Sequence, residues 1–200
     1  MRRRMAYVSG LAAVAAGTLG LVGGVAAPAM ASTSDTGGSV TLTADNNFLI
    51  QQAKAGIVTI PGSPATTTIS STGVVTVTLP VTGGNANVAI LGGTLDLGGS
   101  LKFVDVKTHK CVTFTSLEVS YDSGQLTGVP SGGTTQVPLD DLSGNISFSV
   151  QGSTQSLTSD SITIDPAGAS YLDSSLHTSF YGTGGQNVAS FSTTYTTVTS

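Results

Sequence analysis

The sequence predicts a mainly β protein, an antiparallel β-sandwich that carries one or two short α-helices. Three observations carry that prediction. Short runs of β-branched residues recur along the chain, Gly-Gly, Ser-Gly or Pro separates them, and apolar residues alternate within several runs. Gly-Gly pairs begin at 37, 83, 92, 98, 132 and 184, where tight turns between antiparallel strands call for positive φ.

Taken in chain order, residues 1–31 read as a secretory signal peptide. Arg2, Arg3 and Arg4 precede an apolar, Ala- and Gly-rich stretch, and Ala29-Met30-Ala31 places the cut after Ala31. Glycines at 10, 17, 20, 23 and 24 weaken a permanent membrane span over the same residues. Residues 32–39, "STSDTGGS", read as a flexible lead-in, and residues 40–200 as one domain.

Within that domain, "VTL" at 40–42 leads into a short helix. Asp45 or Asn46 caps it, Phe48, Leu49, Gln52 and Ala53 lie along it, and Gly56 ends it. "GIVTI" at 56–60 and "GVVTVTL" at 73–79 follow as strands, the second with Val75, Val77 and Leu79 on one face. Between Lys110 and Tyr121 the apolar phase shifts from Val112 and Phe114 to Leu117 and Val119, which predicts a bulge or a strand that changes sheet. "NISFSV" alternates cleanly, with Ile146, Phe148 and Val150 on one side. In "DPAGASYLDSSLH", Asp165 is the N-cap of a second helix, Pro166 its first residue, and Tyr171, Leu172 and Leu176 face the core.

Charge and side-chain inventory narrow the function. Cleavage after Ala31 removes every arginine, leaving four lysines against eleven carboxylates and a formal charge of −7. Such a chain cannot neutralise a run of phosphates, which argues against nucleic acid as a partner, and it carries no transmembrane segment after the cut. Cys111, the lone cysteine, reads as a buried small hydrophobe in "KCVTFT". There are two histidines, His109 and His177, and one glutamate, Glu118, and no nucleophile elbow, phosphate-binding loop or zincin motif is present. The expectation is therefore a non-enzyme without catalytic residues. Asp140-Asp141 in "VPLDDL" reads as a turn in preference to a calcium site. His177 and Tyr181 in "SLHTSFYG" are either core residues or an imidazole and a phenol placed to contact ferric iron.

"LPVTG" at 79–83 matches the sorting pattern of wall-anchored proteins. That signal works near a carboxyl terminus, before an apolar span and a basic tail, and neither follows here. The stretch reads instead as the end of a core strand and its turn, where Pro80 stops the ladder.

The flanks of that stretch carry a resemblance. "VTVTLPVTGG", then "GGTLDLGGSLKF", "EVSYDSGQLTG", "VPLDDL", "SLTSDSITIDPAGASYLDSSL" and "FYGTGG" occur in the order found in the HtaA-type domain of actinobacterial secreted and cell-surface proteins, a family associated with haem uptake. The likeness spans roughly residues 40–198. It implies a mostly β domain with short helices, displayed outside the cell, that binds haem through a tyrosine assisted by histidine. Two departures stand out. The family's tryptophan-glycine pair and tyrosine ligand are missing from "TADNNFLIQQAKAG", and Gly98-Gly99-Ser100 replaces its Gly-His pair. The resemblance leaves Tyr181, with His177, as the haem contacts to expect, and haem or another small hydrophobic molecule as the ligand. The alternative is a structural or adhesive envelope protein whose partners are other envelope proteins, with "NVASFSTTYTTV" as an edge strand available for pairing.

Overall fold

The structure is a computed structural model that describes residues 33–199; the signal-peptide reading of residues 1–31 lies outside them. Eleven strands and two helices follow one another. They are β1 (Thr33–Ala44), α1 (Asn46–Ala55), β2 (Ile57–Gly62), β3 (Thr66–Ile69), β4 (Val75–Gly84), β5 (Thr94–Leu97) and β6 (Ser100–Asp105). The remainder are β7 (Lys110–Ser120), β8 (Gln125–Pro130), β9 (Val137–Gln151), β10 (Thr154–Ile164), α2 (Pro166–Leu176) and β11 (Asn187–Thr199).

All sheet pairings are antiparallel, and eight strands close on themselves as a barrel in the order β7-β5-β4-β1-β11-β10-β9-β8, with β8 returning to β7. The sandwich expected from the sequence is thus corrected to a barrel. Alternating strands with turns suit either architecture, and the choice depends on whether the outer strands find each other. Here β7 makes the closure. Its residues 114–120 pair with β8 on one edge, while its other edge is shared by β6 at 110–114 and β5 at 117–120. The predicted bulge makes this possible: the register shifts between Thr115 and Glu118, and Ser116 has φ 47°.

The same sharing occurs on β4. Its Val75–Thr78 pairs with β3 and its Val81–Gly84 with β5, both on the edge away from β1. Pro80 therefore does not stop the strand. It marks the place where β4 exchanges one neighbour for another, and its carbonyl accepts from the Gly98 N–H at 2.8 Å. Beyond β5 the wall divides into two flaps, β2 on β6 and β3 on β4, and β2 pairs with no strand but β6. That end of the barrel is its mouth.

Several other readings change with the tertiary pairing. Residues 33–39, expected as a lead-in, are strand: they pair with β11 from Thr199 to Thr194, and Asp35 is buried. The closing stretch "NVASFSTTYTTV" is no edge strand, because β11 lies between β1 and β10. Ile146, Phe148 and Val150 do share a face but are 45–51% exposed, since β8 pairs with β9 only as far as Asp141. Cys111 is exposed, and Asp140-Asp141 lie within β9 instead of in a turn.

Both helices form as their caps predict. Asp45 accepts from the Phe48 N–H at 2.8 Å, and Gly56 closes α1 in the left-handed region at φ 89°. Asp165 accepts from the Ala167 N–H at 2.6 Å, Pro166 opens α2, and Leu172 and Leu176 are buried. The β6–β7 turn ties down both C-termini. Lys107 Nζ donates to the Lys54 carbonyl at 3.1 Å, and Thr108 Oγ1 donates to the Leu176 carbonyl at 2.9 Å. The α2 backbone presses closely on β9 at Gly168, where a Cβ would stand 2.5 Å from the Pro138 carbonyl oxygen. A Gly-to-Ala change in an exposed helix gains about 1 kcal/mol. Gly168→Ala is expected instead to lose ~1–3 kcal/mol by overpacking, read as a lower urea midpoint at unchanged m-value.

Candidate functional site: an apolar cavity in the barrel mouth

A cavity of about 150 Å³ lies in the mouth, beneath α1 and between the two flaps. Strand alternation supplies its apolar wall: Val75 and Val77 of β4, Leu101 and Phe103 of β6, and Ile162 and Ile164 of β10. Phe48 and Gln52, one turn apart on α1, close it from above. Its volume matches a site for one benzene-sized ring.

Few polar groups reach the cavity, and they converge. The Gln52 amide donates to Thr59 Oγ1 at 3.0 Å and to the Tyr181 hydroxyl at 3.3 Å. Tyr181 is held from behind by α2: its N–H and that of Gly182 donate to the Asp173 carboxylate at 3.0 and 2.8 Å. Its ring packs edge-on against Phe103, with centroids 6.4 Å apart, and against Phe180 at 5.0 Å. Burial first, and then the negative charges of Asp140, Asp173 and Asp105, hold the phenol far above its ordinary pKa. Tyr181 is therefore a neutral hydroxyl at physiological pH.

The two expected site residues part company here. Tyr181 lines the cavity, whereas His177 is the exposed C-cap of α2 in the left-handed region, at φ 56°, and does not line it. Two polar lining residues are not read from the sequence as contacts of a small ligand: Gln52, taken only as a helix residue, and Asp140, weighed with Asp141 as a calcium site and read as a turn. Gln52 sits on the helical stripe of Phe48 and is 3% exposed, a polar residue in an apolar row. Asp140 gives no such signal. Alternation from Leu139 assigns it outward, yet the register shift opposite Leu126 and Thr127 makes Leu139 the extra residue of β9, and both Leu139 and Asp140 line the cavity, Asp140 opposite the buried Ile164 and Leu126.

Burial, and then the neighbouring carboxylates of Asp141 and Asp165, push the Asp140 carboxyl up to about 7. Folding thus tightens its hold on a proton. The stability it contributes is complete below the ordinary carboxylate range and is lost as pH rises through about 7. Asp140→Asn is expected to unfold at a higher temperature than the parent at pH 8, by at least about 3 °C, with the gap closing toward pH 4. Paired thermal melts at the two pH values check this.

The lining residues do not fit haem in this conformation. The cavity is far smaller than the roughly 300 Å³ of drug-sized pockets. The one phenol present is protonated and hydrogen-bonded, and no lysine, arginine or histidine lines the wall to meet an acidic substituent. Among the described residues, no group of three or more His, Cys, Asp or Glu could hold a metal ion, and no helix is long and apolar enough to cross a membrane.

No protein-family model and no curated protein matches the sequence. Solved structures do. The C-terminal domain of HtaA from Corynebacterium glutamicum aligns over 82% of this chain and 100% of its own, at 12% identity and a TM-score of 0.51. The heme binding protein HtaB from Corynebacterium glutamicum aligns over 82% of this chain and 95% of its own, at 14% identity and a TM-score of 0.50. This chain therefore shares its fold with these two solved structures.

Proposed function

We propose that the protein is an exported, non-enzymatic binding module of the cell envelope that takes a small hydrophobic ligand in the mouth of its barrel. The observation that carries this reading is the apolar cavity itself, with the Tyr181 hydroxyl, Gln52 and Asp140 as convergent polar groups in its wall. Export rests on the signal-like residues 1–31 and suits the acidic remainder of the chain. Toluene is expected to shift the amide resonances of residues around Phe48, Phe103 and Leu172. Filling the space with Leu101→Trp is expected to remove those shifts while the rest of the spectrum stays dispersed. A spectrum unchanged at saturating toluene would sink the reading.

Haem stands as the second reading, favoured by the Tyr181 hydroxyl on the cavity wall in a fold shared with a protein named for haem binding. It requires α1 or the β2 and β3 flaps to move outward. Hemin mixed with the purified protein would then give a displaced Soret band that Tyr181→Phe abolishes. Absence of any such band removes haem and leaves the small-ligand reading in place. The structural or adhesive alternative loses one of its supports, because the last strand is enclosed between β1 and β10.

A further inference from the structure

Asp140 is the one lining carboxyl of the cavity, and nothing in the protein answers it. It sits in the barrel interior between Ile164 of β10 and Leu126 of β8, 3% and 1% exposed respectively. The two carboxylates nearest in sequence and space are satisfied. Gln125 Nε2 donates to Asp141 at 3.0 Å and to Asp165 at 3.2 Å, and Asp165 also caps α2. Among the described residues, no donor reaches the Asp140 side chain, and no basic side chain lines the space in front of it. Asp140 itself is half-buried, and a carboxyl so placed still needs hydrogen-bonding partners, which the cavity must admit from outside the protein. Water alone would meet only part of that demand, since the rest of the wall is mainly apolar.

We infer that the cavity is built for a small apolar amine, whose ring fills the hydrocarbon-lined space and whose ammonium group sits on the Asp140 carboxylate. This deepens the small-ligand reading and rests on it. Three features act together. The single carboxylate attracts a cation and repels an anion, the more strongly because the surroundings are apolar. The Tyr181 hydroxyl, which accepts from Gln52, still has its own proton to offer, so a ligand with one acceptor beside its amine gains a second contact. The volume limits the apolar part to about one ring. The absence of lysine, arginine and histidine from the wall makes carboxylate-bearing ligands of the same size the disfavoured class.

Three probes of nearly equal shape separate the possibilities: benzylamine, benzyl alcohol and benzoate, titrated into the protein at pH 8 and followed by amide chemical shifts. Benzylamine is expected to bind more tightly than benzoate by roughly tenfold or more, as one charge-assisted hydrogen bond would give. Asp140→Asn is expected to erase that preference while keeping the affinity for benzyl alcohol, which also shows that the variant is folded. Equal binding of benzylamine and benzoate, or a preference that survives Asp140→Asn, overturns the amine inference and leaves the small-ligand cavity standing. Failure of all three probes to bind overturns both.

Discussion

The structure depends on one strand having three neighbours. β7 holds β8 along one edge and both β6 and β5 along the other, and only the kink at Ser116 lets a single strand run straight enough to do so and turn far enough to close the ring. Closure pairs the edges of the eight strands except along β9 beyond Asp141, where β8 does not reach. It also fixes where the barrel must open. Because β5 covers only residues 117–120 of β7 and 81–84 of β4, the wall beyond it divides, and the flaps β2 and β3 leave a mouth for α1 to cover.

The two ends of the barrel are finished in opposite ways. Away from the mouth, residues 85–93 between β4 and β5 fold inward, with Ala86 and Val88 fully buried. The Ala86 N–H donates to Asp35 and the Val88 N–H to Gln155 at 2.8 Å, while the Tyr195 hydroxyl donates to the same Gln155 oxygen at 3.2 Å. Asp35 and Gln155 are thus spent on holding a loop, while the second Asp35 oxygen and the Tyr121 and Thr193 hydroxyls beside them have no partner among the described residues. At the mouth, Asp140 and Tyr181 line open space, with Gln52 donating to the Tyr181 hydroxyl and no donor among the described residues reaching Asp140. One end is a plug and the other a receptacle, although both are lined by residues of the same strands.

This division explains how the fold can be shared with HtaB and the C-terminal domain of HtaA at only 12–14% identity. Barrel closure asks only for alternation, bulges and turn glycines. The contents of the mouth depend on a few inward side chains that closure does not constrain. In this chain those side chains leave a small cavity with a net acidic wall, and the histidine expected beside Tyr181 is instead a helix cap in solvent.

Local structure was legible in the sequence because its causes are local. Asp45, Gly56, Asp165 and Pro166 set the helix ends through caps that need no distant partner, and the phase shift after Phe114 announced the bulge in β7. Tyr181 could be singled out because it stands four residues from His177 and in the aromatic-Gly stretch "FYGTGG" that closes the resemblance. The tertiary structure alone decided the rest. Alternation cannot distinguish a barrel from a sandwich, because each strand sees one inner face in both, and only the return of β8 to β7 separates them. The same limit hid Asp140. The register shift of β9 against Leu126 and Thr127 brings the consecutive residues Leu139 and Asp140 both to the cavity, which no alternation within β9 records.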